Sequence, residues 1–158
     1  MCMKIRIRPL AVSLAIPLVL GALSGFAVRG GMKAFASLQK PPLTPPGWLF
    51  PIVWTILYAM MGYASYLVYT SGESKSAVGV ALAAYGVSLA VNLLWPQLFF
   101  GQGAYMAAFL LLCALLVLVL WTARLFGALV PRAGALLVPY LLWIIYAGYL
   151  NLGIARLN

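Results

Sequence analysis

The sequence predicts an all-α integral membrane protein: one domain spanning residues 1–158, folded as a bundle of five transmembrane helices with an internal cavity. Three observations predict it. The chain is 66% hydrophobic and only 7% charged, too apolar for a soluble domain to cover its surface with polar side chains. It divides into five apolar runs of roughly 20 residues, the length that crosses about 30 Å of hydrocarbon at about 1.5 Å per residue. Within three of these runs the polar and aromatic side chains keep to one helical face, which marks an inward side.

The first run, residues 9–28, follows the basic residues Lys4, Arg6 and Arg8. That arrangement also resembles a secretory signal peptide with a cleavage site at Gly25-Phe26-Ala27. The apolar stretch exceeds the usual signal core of about 7–15 residues and is read as a retained span. Residues 29–40 form an amphipathic connector, and Pro41-Pro42-Leu43-Thr44-Pro45-Pro46-Gly47 follows, where Thr44 is expected to cap a helix whose first turn accepts proline. The second run covers 45–69. A polar turn containing Glu73 leads to the third, 77–100; Gly101-Gln102-Gly103 turns the chain into the fourth, 104–126; and Pro131-Arg132 precedes the fifth, 133–155.

Five spans put the termini on opposite sides, with Lys4, Arg6, Arg8, Lys75, Arg124 and Arg132 facing one way and Arg29, Lys33, Lys40 and Arg156 the other. The excess favours a cytoplasmic N-terminus. The net charge of +9 is spread singly at the water boundaries, where it meets anionic headgroups, so no nucleic-acid partner is expected. Lipid is the expected surroundings. Glu73 is the sole acidic residue and there is no histidine, so ordinary metal, general-base and triad chemistry has few players. No metal ligand, cofactor or catalytic residue is assigned. Cys2 lies in the basic tail and Cys113 inside an apolar run, and both are read as free thiols.

At 100° per residue, Tyr85, Ser88, Asn92, Trp95, Pro96 and Phe99 share an arc of about 100° in the third run. Pro51, Trp54, Tyr58, Met61, Ser65 and Tyr69 do so in the second, and Tyr140, Trp143, Tyr146, Ala147 and Leu150 in the fifth. Aromatic residues also form interfacial belts, as Trp48, Tyr69 and Trp121 would. An amide such as Asn92, several residues inside a span, should instead face a cavity or a neighbouring helix. Pro17, Pro96 and Pro139 each remove a backbone donor and are expected to kink or shape their spans. Small residues recur at helix-contact spacing in Gly21/Gly25, Gly79/Ala83 and Ala84/Ser88, a pattern that serves packing within one chain as readily as dimerisation; the last two pairs motivate the expectation of a homodimer through the third span. No sequence repeat is visible.

Leu38-Gln39-Lys40-Pro41 with Thr44-Pro45-Pro46-Gly47-Trp48, Pro51-Ile52-Val53-Trp54, Leu57-Tyr58 and Gly62-Tyr63 resembles the signature of the translocator protein family, also called tryptophan-rich sensory proteins. Asn92-Leu93-Leu94-Trp95-Pro96 with Phe99-Phe100-Gly101, and Pro139-Tyr140-Leu141-Leu142-Trp143 with Leu150-Asn151, resemble its third and fifth helices in order. The resemblance implies a ligand cavity under the long first loop that takes porphyrins such as protoporphyrin IX, benzodiazepine-type and isoquinoline drugs, and in some members sterols. Carried over by position, its walls would be Phe35, Pro45, Trp54, Tyr58, Asn92, Trp95, Trp143, Ala147 and Leu150. It also implies homodimers, in a bacterial or a mitochondrial outer membrane. Two positions depart from the family pattern: Leu43 stands where the loop usually carries tryptophan, and Leu152 where the sterol-linked pattern has tyrosine.

Three functions follow as expectations. The first is a receptor or carrier in which a flat apolar ring stacks among Trp54, Trp95 and Trp143, Asn92 makes a polar contact, and Arg29, Lys33 and Lys40 attract carboxylates. The second, implied by the resemblance alone, is a porphyrin-degrading enzyme working through tryptophan redox chemistry. The third, a proton-coupled exporter, lacks a titrating group at membrane depth.

Overall fold

The computed structural model describes residues 5–158, so Cys2 and Lys4 lie outside the described residues. Among the described residues, five spans are long and apolar enough to cross a membrane, as the composition requires. The protein is a multi-pass integral membrane protein. Helix α1 (Ile7–Ala27) lies at the edge of the bundle, with Pro17 its single buried residue. Proline at 17 leaves the Ser13 carbonyl without its helical donor. The backbone of Gly62 covers that oxygen so closely that a methyl group there would come within 2.5 Å of it. The proline and the glycine together explain where α1 meets α3 (Leu49–Tyr69).

Between these two spans, Val28 turns the chain into the short helix α2 (Arg29–Phe35). Helix α2 lies against the turn Gln97–Gly101 that ends the third span, where Gly31 meets the Phe100 carbonyl too closely for any side chain. The expected start of the second span at Pro45 is corrected. Helix α3 begins at Leu49, its N–H bonded to the Pro46 carbonyl, and no side chain caps it. Thr44 instead donates to the Pro41 carbonyl at 2.6 Å, folding the proline-rich segment on itself. Prolines disfavour helix in the residues before them, so consecutive prolines delay the helix until they are past.

Ser74 caps α4 (Lys75–Pro96), accepting from the Ala77 N–H at 3.3 Å. Pro96 ends the regular helix, and the chain continues through a wider π-helical turn, Gln97–Gly101. Gly103, at φ +64°, then releases it into α5 (Tyr105–Leu129). The fifth span is broken into α6 (Pro131–Leu136) and α7 (Val138–Leu157), with Pro139 in the first turn of α7 where its missing donor costs nothing.

Helix α1 packs on α3, α3 reaches α6, α6 and α7 pack on α5, and α5 packs on α4, which closes the ring against α1 and α3. The aromatic arcs turn inward: Tyr58, Met61 and Ser65 on α3, Tyr85, Ser88, Asn92 and Trp95 on α4, and Tyr140, Ala147 and Leu150 on α7 are buried. Pro51 and Tyr69, at the ends of the α3 arc, are exposed. The two small-residue pairs of α4 face different ways. Gly79 and Ala83 are exposed, but Ala84 and Ser88 lie inside the bundle at 6% and 2% exposure. Five residues along a helix rotate the side chain by about 140°, which takes the second pair off the first pair's face.

Candidate functional site

Four predicted residues come together where α3, α4 and α7 meet. The Tyr58 hydroxyl donates to Asn92 Oδ1 at 2.7 Å, and Asn92 Nδ2 donates to the Tyr140 hydroxyl at 2.7 Å. One buried amide, 2% exposed, thus joins three helices. Trp54 stacks on Tyr58 with ring centres 5.6 Å apart and lies 6.5 Å from Trp95, 6.3 Å from Tyr140 and 6.4 Å from Trp143. It is the hub of the aromatic arcs. Trp95 is held from behind: its Nε1 donates to Asn151 Oδ1 at 2.9 Å, and Asn151 Nδ2 donates to the Tyr105 carbonyl at 2.7 Å.

Beside this network lies a cavity of about 460 Å³, within the range of small-molecule sites, with Trp54, Tyr58, Asn92 and Trp95 in its wall. The opposite wall is α1, through Leu18, Gly21, Ala22, Gly25 and Phe26. Gly21 makes room for the Tyr58 ring, whereas nothing stands within 4 Å of a methyl group placed on Gly25. The α1 wall went unread in the sequence, although the small residues of that arc were a signal for it. Phe50, Pro51, Thr55 and Phe100 complete the mouth, and Ala22, Phe26, Pro51 and Thr55 are all exposed. The cavity therefore opens sideways between α1 and α3, toward the surface that faces lipid.

The remaining predicted residues fall elsewhere. Phe35, Ala147 and Leu150 line a separate void of about 20 Å³ with Phe99, Asn151 and Ile154. Trp143 lines a groove between α3 and α7, with Val53, Ile56, Met60 and Leu142, rather than the cavity shared by Trp54 and Trp95. Its indole N–H is buried and has no partner among the described residues. Pro45 lines none of these spaces.

The first loop lies along α7. Gln39 and Asn158 exchange two hydrogen bonds, of 3.0 and 2.9 Å, Tyr149 donates to the Pro42 carbonyl at 2.9 Å, and Tyr146 donates to the Leu43 carbonyl. Pro41 packs where Gly153 leaves no room for a side chain, a methyl group there meeting its Cγ at 2.5 Å. These ties hold Pro45 out of the cavity wall. Leu43 is 84% exposed at the outer turn of the loop, with φ +65°, so this side chain closes nothing.

Of the basic residues singled out, Arg29 lies 3.8 Å over the ring of Phe26, at the cavity mouth. Lys40 instead donates to the Ala36 and Leu38 carbonyls and lies 5.0 Å from the Phe35 ring. Lys33 is exposed on α2. Cys113 is an exposed free thiol.

Comparison with known proteins agrees with this architecture. The profile of the TspO/MBR family matches residues 13–157. The chain is 37% identical to a tryptophan-rich protein TspO of Chlorobaculum tepidum over 157 residues, covering 99% of each. It is 43% identical to the translocator protein of Ovis aries over 127 residues, covering 78% of this chain and 75% of that one. It is 39% identical to a tryptophan-rich sensory protein of Cereibacter sphaeroides over 124 residues, covering 78% and 76%. A profile match over nearly the whole chain, with bacterial and mammalian relatives above 35% identity, shows that the chain belongs to the TspO/MBR family.

Proposed function

We propose that the protein is a membrane receptor or carrier that takes a bulky, flat, apolar ligand, of tetrapyrrole or drug-like kind, into the cavity between α1, α3 and α4. The observation that carries this reading is the wall itself: Trp54, Tyr58, Trp95, Phe50 and Phe100 surround one buried amide, Asn92, in a space of about 460 Å³. Flat π-faces gain by offset stacking on such rings, and a single amide orients a ligand without a large desolvation cost. Asn92 Nδ2 carries two hydrogens and Tyr140 takes one, which leaves a donor for the ligand. A ligand already dissolved in the bilayer would enter through the sideways opening, and Arg29 beside Phe26 would meet any carboxylate kept at the headgroup level.

Titration of detergent-solubilised protein with protoporphyrin IX tests the reading. Saturable quenching of tryptophan fluorescence, beyond that of soluble indole at equal absorbance, is the expected result; a linear response to the highest concentration would overturn it. Homodimerisation through α4 belongs to the same proposal and rests on exposed Gly79 and Ala83. Bulky replacements at both positions should give monomers in lipid discs, and wild-type protein already monomeric there would exclude it.

A further inference from the structure

Two backbone carbonyls lose their helical donors where α1 and α4 meet. On α1, the Val28 N–H turns back to the Gly25 carbonyl at 3.3 Å, which frees the Ser24 carbonyl. On α4, the chain tightens after Pro96: the Gln97 N–H goes to the Leu94 carbonyl, which frees the Leu93 carbonyl. In hydrocarbon each such group needs a partner. Each finds it across the seam between the two helices. The Ser24 hydroxyl donates to the Leu93 carbonyl at 3.1 Å, and Gln97 Nε2 donates to the Ser24 carbonyl at 3.3 Å and to its hydroxyl at 3.2 Å. Ser24, Leu93 and Gln97 do not line the cavity, but their chain neighbours Gly25, Phe26 and Pro96 do. The clasp therefore stands behind the wall. On the α3 side, the hydrogen bond that ties α1 lies at its far end, from the Arg6 N–H to the Tyr66 hydroxyl, whereas Ala22, Phe26, Pro51 and Thr55 at the cavity mouth are exposed.

We propose that Ser24 and Gln97 are positioning residues that bolt the α1–α4 seam, so that ligand exchanges slowly and by the α1–α3 side alone. This rests on the receptor reading given above. Neither residue touches the ligand. Helix α1 is pressed against α3 near Ser13, where Gly62 meets its backbone, and its C-terminal half is free to swing about that contact unless something holds it. The clasp holds it against α4. Without the clasp the seam parts and a second way out of the cavity appears. A wider opening lowers the barrier to entry and to exit together and leaves the contacts of the bound state as they were. The signature of the clasp is therefore kinetic: both rates rise and Kd stays.

The test follows a compact isoquinoline-type ligand by stopped-flow tryptophan fluorescence in lipid discs, with wild-type, Ser24→Ala, Ser24→Thr and Gln97→Leu proteins. Association and dissociation should both be about fivefold faster in Ser24→Ala and Gln97→Leu, with Kd within about twofold of wild type. Ser24→Thr, which keeps the hydroxyl, should restore wild-type rates. Rates unchanged in both disruptive variants would overturn the clasp while leaving the receptor reading intact. A weaker Kd at an unaltered association rate would also overturn it, because the two side chains would then belong to the wall. Thermal melts identify a variant that has not folded, and Gln97→Met, which keeps the side-chain length, then replaces Gln97→Leu. Should wild type bind no ligand, the receptor reading fails, and a ligand-free measurement decides the clasp alone. With the native cysteines replaced by serine, nitroxide labels are placed at Leu23 on α1 and Leu94 on α4, or at Val12 on α1 and Tyr63 on α3, all exposed. Gln97→Leu should spread the Leu23–Leu94 distances to longer values and leave the Val12–Tyr63 distances alone. An unchanged Leu23–Leu94 distribution overturns the clasp.

Discussion

The two ends of the α1–α3 pair differ in what lies between the helices. Near the N-terminal end of α1, Gly62 presses directly on the backbone of Ser13 and Leu14, and one turn on the Tyr66 hydroxyl accepts from the Arg6 N–H at 3.0 Å. Toward the other end, beyond Gly21 and Tyr58, the helices diverge around the cavity, with Ala22 and Gly25 on the α1 side and the rings of Phe50 and Trp54 on the α3 side. Close backbone approach is what holds helices together in lipid, where apolar burial gives no drive. The pair is therefore clamped at one end by a missing side chain and held apart at the other by large ones, and the cavity follows from that asymmetry.

Glycine substitutions break the comparison most directly. Gly62→Val meets the backbone of α1, which cannot move aside as a side chain can, and should cost at least about 3 kcal/mol or prevent folding, read as loss of the thermal transition. Gly25→Val, one cavity wall away, should keep the melting temperature nearly unchanged and weaken ligand binding by about tenfold or more, since its side chain grows into open space. Equal melting temperatures for the two variants would refute the clamp.

Asn92→Leu acts between the two ends. It leaves the Tyr58 and Tyr140 hydroxyls without their partner and should destabilise by about 1–3 kcal/mol, read by thermal melt. Binding should fall as well, because the polar contact is removed. A smaller effect, about 0.5–1.5 kcal/mol, is expected for Asn151→Ala, which frees Trp95 from behind and should broaden the tryptophan emission. The smallest belongs to Tyr149→Phe, which removes one tie of the first loop: about 0.5–1 kcal/mol locally, seen as faster amide exchange across residues 39–43 with no change in melting temperature.

Much of this was legible in the sequence because lipid imposes simple periodicities. Span count followed from run length, and the inward faces of α4 and α7 from the 3.6-residue repeat. The buried amide at Asn92 followed from its depth. What escaped was set by relations between segments. Nothing local shows that Gly62 covers the carbonyl freed by Pro17, or that Gly25 faces open space while Gly21 holds a ring. The loop was misjudged for the same reason: its place depends on Tyr146, Tyr149 and Asn158, more than a hundred residues away along the chain. Ala84 and Ser88 matched the contact spacing of Gly79 and Ala83, yet Ser88 stands on the inward arc of Asn92 and Trp95, and that arc separates the buried pair from the exposed one.

The central claim is that ligand occupies the space between the diverging ends of α1 and α3. Photolabelling with a compact diazirine-bearing isoquinoline ligand, followed by peptide mapping with and without excess unlabelled ligand, tests it most directly. The account predicts competed labels on residues 18–26 of α1 and on Phe50, Pro51, Trp54, Thr55 and Tyr58 of α3. Labels confined to the outer groove of Ile56, Met60 and Leu142, or labels that excess ligand does not compete, would contradict it.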